Sequence, residues 1–521
     1  MFSKIIKNGT VVDGTGKKSF RADIAIEKDK IVQVGNLKGA KAADVIDAQG
    51  KFVTPGFVDI QNHSDVYWCL FDNPNLDALI SQGITTALVG NCGASLAPLL
   101  SRDALLSIRK WHSIEAINFN WISFAEYLDE LSKKNYGLNI ASLVGYSTLR
   151  RGLIGDEFRK LKEPELKILL GHLQQSIDAG AYGVSTGLSY AHESVIPEDE
   201  LLQIARLIKN NDALFSVHLR SEGAEITEAL SEVLYLVQKF NVNLKISHLK
   251  IRNKNNWHLL PHILNQLEET YQKYGNVHFD LHPYDFTWQV LYTYLPSWSY
   301  QGGRDALMHH LKDPIQRKKI ADYLSAKEIN YSEIYIASTA VNLNVAGKNI
   351  GEIAKRHGST SEEVMLSIIE NGGSNILVFE KNLSAQGVKE LLKHSLSIVA
   401  SDGAGFSFEH SDKLVHPRCF GTMPAFLNMV IEQNLLPLEQ AIQKITSTPA
   451  NKIGLKDRGT IEPEKFADLV IFDESINSKA NQVNPYQHPI GIEYVLVNGD
   501  IAIGLGKKAN KNYGIILRKK K

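Results

Sequence analysis

Eight short apolar runs recur through the middle of this chain, with stretches of apolar residues at helical spacing between them. The runs are FVTPGFVDIQN (52–62), ITTALVGNC (84–92), LNIASLVGY (138–146), AYGVSTGLSY (181–190), ALFSVHLR (213–220), NLKISHLK (243–250), VHFDLHPY (277–284) and LSIVASDG (396–403). Each has the length of a strand. Between them, segments such as EDELLQIARLIKNN (198–211) and AEITEALSEVLYLVQKF (224–240) carry the apolar spacing of an amphipathic helix. Eight strand–helix units in succession predict an α/β fold, a (β/α)8 TIM barrel.

The two ends have another rhythm. IIKNGTVVDG, ADIAIEKDKIVQVG and ADVIDAQGKFVTPG open the chain, and GTIEPEKFADLVIFDES and IEYVLVNGDIAIG close it. Their β-branched residues, punctuated by Gly, Asn and Asp, read as antiparallel strands. They predict one small β domain built from residues 1–52 and 452–521, with the barrel over 53–451. The barrel rhythm lapses at about 288–375, between the seventh and eighth runs. This insertion contains WQVLYTYLPSWSYQGG, GKNIGEIAKRHG and SEEVMLSIIENGG. Sitting on a βα loop, it lies at the mouth where barrel active sites are built, and is expected to act as a lid. Trp288, Tyr292 and Trp298 are its candidates for side-chain specificity, while the closing ILRKKK reads as a solvated terminus.

Composition removes several function classes. Lys+Arg and Asp+Glu each number 57, so the formal net charge is zero and gives no electrostatic basis for binding nucleic acid or an anionic membrane. No apolar run reaches the roughly 18 residues of a membrane helix, and MFSKIIKNGTVVDG lacks the apolar core of a signal peptide. Three cysteines, Cys69, Cys92 and Cys419, cannot all pair. They read as the reduced thiols of a cytoplasmic protein.

Ligand-type residues gather at the C-terminal ends of the predicted strands: His63 on the first, Cys92 on the second, His218 on the fifth, His248 on the sixth and Asp402 on the eighth. Taken singly, each has an ordinary reading: a surface histidine, a small buried thiol, a turn aspartate. A barrel brings those ends to one face, so the coincidence points to a metal site. One thiolate and two imidazoles form a zinc shell with a fourth position left for water, whose pKa zinc lowers to about 7. Asp402 is then the expected acid/base. Lys250 shares a strand face with His248, and Arg418 follows the eighth strand; either could hold a substrate carboxylate. Tyr284 could donate to a polarised carbonyl.

These residues stand in motifs that resemble the amidohydrolase superfamily and, within it, the N-acyl-D-amino-acid deacylases, nearly end to end. The carriers are PGFVDIQNHSD (55–65), GNCGAS (90–95), GVSTGLSY (183–190), HLRSEG (218–223), SHLK (247–250), HPYDFT (282–287), ASDGAG (400–405), HPRCFGTMP (416–424) and ADLVIFD (467–473). The resemblance implies a β-sandwich with a distorted barrel and a mobile lid. It implies zinc held by Cys92, His218 and His248, Asp402 as acid/base, and Lys250, Tyr284 and Arg418 handling the substrate's carboxylate and carbonyl. The implied reaction is hydrolysis of a small-molecule N-acyl-D-amino acid to a carboxylate and a free D-amino acid.

The chain departs from the family pattern in two places: Gln61-Asn62-His63 replaces His-x-His, and Tyr146 replaces a histidine. The carboxylated lysine that bridges two metals elsewhere in the superfamily has no counterpart at the fourth strand end, and the family's thiolate, matched by Cys92, takes that place. A neutral amide is a poor zinc ligand beside imidazole. The expectation is therefore one tightly held Zn2+, with the second position weak or absent and His63 a weak ligand. Gln61 is expected to hydrogen-bond the water or the substrate's acyl group. A cyclic amide hydrolase resembling hydantoinases or dihydroorotases is an alternative, as is a catalytically silent binding protein.

Overall fold

The structure is a computed structural model describing residues 1–108, 119–190, 192–338, 345–373, 376–409 and 414–520. Parts of the predicted insertion (339–344 and 374–375) lie outside the described residues.

Eight parallel strands form the centre. Phe57–Asp59 pairs with Ile84–Val89, which pairs with Asn139–Ser142. The third strand continues as Val144–Gly145 and pairs with Gly183–Gly187. Leu214–His218, Asn243–Ile246, Val277–Leu281 and Ser397–Val399 follow in order. The eighth strand returns to the first through a bridge between Asn62 and Gly403. Ser401 N–H also donates to Asp59 Oδ1 at 2.9 Å across the same seam. The expected barrel is thus present, with thin pairing at its closing seam.

Helices cover the barrel for the reason the sequence suggests. In Glu198–Asn210, Leu201, Ile204, Ala205 and Ile208 form the buried face, and Glu198, Asp199 and Glu200 occupy the first turn, where the helix dipole favours negative charge. Along the sixth strand, Leu244 and Ile246 join the apolar layer beneath the helices. Lys245 and Ser247 alternate to the other side, into the barrel.

The first predicted run divides in two. Phe52–Pro55 belongs to the terminal sheet, pairing with Leu469–Phe472, and only Phe57–Asp59 enters the barrel. Gly56 sits at the break, where an added Cβ would come 2.1 Å from Thr85 Oγ1. Among the described residues, the terminal sheet has nine strands drawn from both ends of the chain. Its core includes Ile6, Ile24, Ile31, Leu469, Ile471 and Leu496.

Within the insertion, Thr287–Val290, Leu377–Glu380 and Ile334–Ser338 form an antiparallel sheet. Helices Gly303–Lys312, Pro314–Ser325, Ile350–His357 and Ser361–Gly372 accompany it, around an apolar core of its own. The C-terminal tail differs from expectation. Leu517 N–H donates to Ile140 O at 2.7 Å and Lys519 N–H to Gly180 O at 2.9 Å, so the tail is stitched to the barrel. Backbone hydrogen bonding to the third strand outweighs the solvation of its basic side chains.

Candidate metal centre and active site

Five side chains from five strand ends meet at the C-terminal mouth. His218 ends its strand, while His63, Cys92, His248 and Asp402 lie just beyond theirs. The chain must turn abruptly there to aim a side chain into the mouth. Cys92, His248 and Asp402 do so with left-handed φ values of 54°, 38° and 48°. Such conformations are costly for residues with a Cβ and persist where the surroundings enforce them. Flanking Cys92, Gly90 and Gly93 each have φ 78°. A Cβ on Gly90 would lie 2.2 Å from Leu143 O, so this turn requires glycine on two counts.

Cys92, His218 and His248 are buried and bring one ligand atom each to within 4.8 Å of the others. Cys92 Sγ lies 3.4 Å from His248 Nε2, and the two imidazole rings meet edge to face at 4.3 Å. Glu222 braces the pair, with Oε1 3.1 Å from His248 Nδ1 and 3.6 Å from His218 Nε2. The same oxygen pairs with Lys250 Nζ at 2.5 Å. Opposite, Asp402 bridges two cations: Oδ1 is 3.1 Å from His63 Nε2 and Oδ2 is 2.7 Å from Arg418 Nη1.

The electrostatics favour a thiolate. Burial would push the Cys92 thiol up, but the charge on His248 and hydrogen bonds from His218, His248 and His63 hold it well below its usual value. Burial and the Lys250 ammonium push His248 down; Asp402 and Cys92 outweigh them and raise it to about 9. Burial and the neighbouring His248 charge keep His218 low, in its neutral form. For Asp402, burial acts upward, but Arg418, His248 and His63 hold the carboxyl well below the usual range. A compact thiolate with two imidazoles, one carrying a proton that an ion would displace, fits a zinc-type ion. Cys92, His218 and His248 are the residues that would hold it.

The cluster opens into a cavity of about 590 Å³, the size of a small-molecule site. His63, Lys250, Asp402 and Arg418 all line it, and Trp288 from the insertion stacks on Tyr67 at its wall. His63 stands at the cluster's edge, 4.0 Å from Cys92 Sγ. Two expected substrate contacts are placed elsewhere. Gln61 is fully buried: its Nε2 donates to Cys92 Sγ at 3.1 Å and its Oε1 accepts from Lys245. The ammonium claims the amide that was expected to face substrate. Tyr284 packs against His282, Phe286 and His416, with its hydroxyl beside Gly421, outside the cavity lining. The residue pattern could not show that the ring turns to the apolar cluster that includes Phe286, Phe379 and Phe420. Trp298 is partly exposed, and Tyr292 packs on Tyr300 in the insertion.

Sequence reasoning missed Glu222, although it lies four residues beyond His218 in a motif already noted. It also missed Lys245 and Asp280, which had no signal beyond a charge inside an apolar strand. Tyr146, the other departure, donates to Glu200 at 2.8 Å within a buried pair with Arg150 and has a structural place.

A barrel of this build, with ligand and acid/base side chains converging on a cavity at its C-terminal mouth, is the frame of a hydrolase. Residues 44–242 and 297–503 match the amidohydrolase family. N-acyl-D-aspartate deacylase of Alcaligenes xylosoxydans xylosoxydans is 30% identical over 498 residues, covering 95% of this chain and 91% of that protein. The crystal structure of N-acyl-D-glutamate deacylase from Bordetella bronchiseptica, complexed with zinc and a phosphonate mimic of the tetrahedral intermediate, superposes with a TM-score of 0.85 at 26% identity, covering 99% of each chain. A D-aminoacylase with a binuclear metal centre, in which one metal activates and the second attenuates, gives 0.84 at 26% identity over 100% of each chain. The chain belongs to the amidohydrolase family and is a hydrolase. Among the described residues, no helix is long and apolar enough to cross a membrane.

Proposed function

We propose that this protein hydrolyses the linear amide bond of N-acyl-D-amino acids, releasing a carboxylate and a free D-amino acid. The carrying observation is the convergence of Cys92, His218 and His248 with Asp402 in one cavity. The end-to-end likeness to D-selective deacylases supports the substrate class. One divalent ion, zinc by the chemistry of its donors, is held by Cys92, His218 and His248. When bound, it supplies Lewis acidity toward the scissile carbonyl. Asp402 takes a proton from the attacking water and returns it to the leaving amine. Arg418 and Lys250 attract the substrate carboxylate; Arg418 exchanges its pairing with Asp402 for that anion. The described parts of the insertion act as a lid, a reading supported by the cavity contacts of Trp288, Gln289, Val290 and, just past its end, Leu377. Three unpaired buried cysteines support a reducing, cytoplasmic setting.

The test is amine release by zinc-loaded protein from matched N-acetyl-D- and N-acetyl-L-amino acids and from hydantoins. D-selective release from the linear amides is expected. Turnover confined to hydantoins, or none with metal bound, refutes the reading.

A further inference from the structure

Directly beneath the ligand cluster lies a buried cation with no part in the proposed chemistry. Lys245 and Asp280, on neighbouring strands, are both fully buried and pair at 2.6 Å. Asp280 Oδ1 also accepts the backbone N–H of His248 at 2.8 Å, tying the pair to one member of the cluster. The rest of the ammonium's shell is Ser247 Oγ at 3.2 Å, Asn91 Oδ1 at 3.4 Å and Gln61 Oε1.

This arrangement dictates how Gln61 points. An ammonium donates and cannot accept, so the amide oxygen must face Lys245. The amide N–H2 then faces the other way and reaches Cys92 Sγ at 3.1 Å. A side chain standing where the family pattern carries a metal-binding imidazole thus turns a donor, not a lone pair, toward the metal centre. Position 61 therefore offers no ligand atom to a second cation on that side of the cluster.

We propose that Lys245 is a positioning residue that makes this a one-metal centre. It locks Gln61 as a hydrogen-bond donor to the Cys92 sulfur, so that position 61 turns no lone pair toward a second metal ion. The inference rests on the proposed metal site at Cys92, His218 and His248. Hydrogen bonds behind a ligand tune its donor strength, so the N–H···S contact draws electron density from the thiolate. A histidine at position 61 alone would give its lone pair to the Lys245 ammonium, as the Gln61 oxygen does, and the second site stays closed.

The experiment uses the full-length protein loaded with Co2+, reading the sulfur-to-cobalt charge-transfer band and the metal content by elemental mass spectrometry. Gln61→Leu and Lys245→Met are expected to shift the band to longer wavelength while metal content stays at the wild-type level. Gln61→His is expected to keep that level, and Gln61→His with Lys245→Met to take up a second ion. Lys245→Met strands Asp280 and can fail to fold; Gln61→Leu leaves the ion pair intact and then decides the case. An unmoved band in Gln61→Leu, or a second ion in Gln61→His alone, overturns the proposal. A wild-type protein that binds Co2+ without a thiolate band, or not at all, overturns the metal-site reading itself.

Discussion

Replacing Asp402 by asparagine removes the proposed proton shuttle while leaving the metal ligands untouched. The two side chains have nearly the same shape, and the asparagine oxygen can still accept from Arg418. What disappears is one basic oxygen and one buried negative charge, now 2.7 Å from Arg418 and 3.1 Å from His63. Positioned acid/base groups contribute about 10²- to 10⁴-fold to rate, or about 3 to 5 kcal/mol of barrier. Stability should fall too, by less than the roughly 3 to 5 kcal/mol of a fully broken buried ion pair, because one hydrogen bond survives. Arg418, relieved of its partner, is freer to take a substrate carboxylate, so KM should hold or fall. The assay is steady-state turnover of an N-acetyl-D-amino acid, paired with zinc content and thermal unfolding of the same preparation. The expected pattern is a kcat loss of about 100-fold or more, unchanged zinc and no rise in KM. A folded, zinc-loaded variant within about tenfold of wild type would falsify the assigned role.

Other consequences follow from the same geometry. His218→Ala and His248→Ala should each lose metal and activity together; a variant retaining wild-type zinc content would remove that histidine from the ligand set. Arg418→Met should raise KM by roughly 10- to 100-fold through loss of a charge-assisted carboxylate contact; an unchanged KM would send the substrate carboxylate elsewhere. A fourth expectation concerns pH and stability. His192 is lowered from 6.5 to about 4 by burial, against a hydrogen bond to Asp156. Because its folded value is the lower one, stability is intact above pH 6.5 and is lost as pH falls toward 4. The unfolded chain binds a proton there that the folded chain excludes, at a total of roughly 3 kcal/mol. Urea unfolding at pH 7 and pH 4.5 should show a smaller acid loss in His192→Gln than in wild type. Equal losses would rule this histidine out as the cause.

Much of the architecture was legible because periodicity and turn chemistry are local. The eight runs and the helices at 198–210 and 226–240 carry their own patterns, and strand ends follow once the strands are known. That is why Cys92, His218, His248 and Asp402 could be named from spacing and residue type. Boundaries were less legible. The run at 52–62 looks continuous, yet Gly56 divides it between two sheets, because its close approach to Thr85 depends on a partner strand far along the chain. The tail looked solvated because its charge is visible in the sequence and its hydrogen bonds to Ile140 and Gly180 are not.

The sequence by itself determined the class of chemistry: which ligand types stand at which strand ends, and that a first imidazole is missing from the expected pair. Only the tertiary structure decided which way Gln61, standing in its place, turns its amide. Lys245 reads as a misplaced charge in an apolar strand until the barrel closes around it. Closure brings Asp280, Gln61 and Cys92 into contact from three other strands. The direction in which an amide points is set by the donors and acceptors that surround it, and those neighbours exist only after folding.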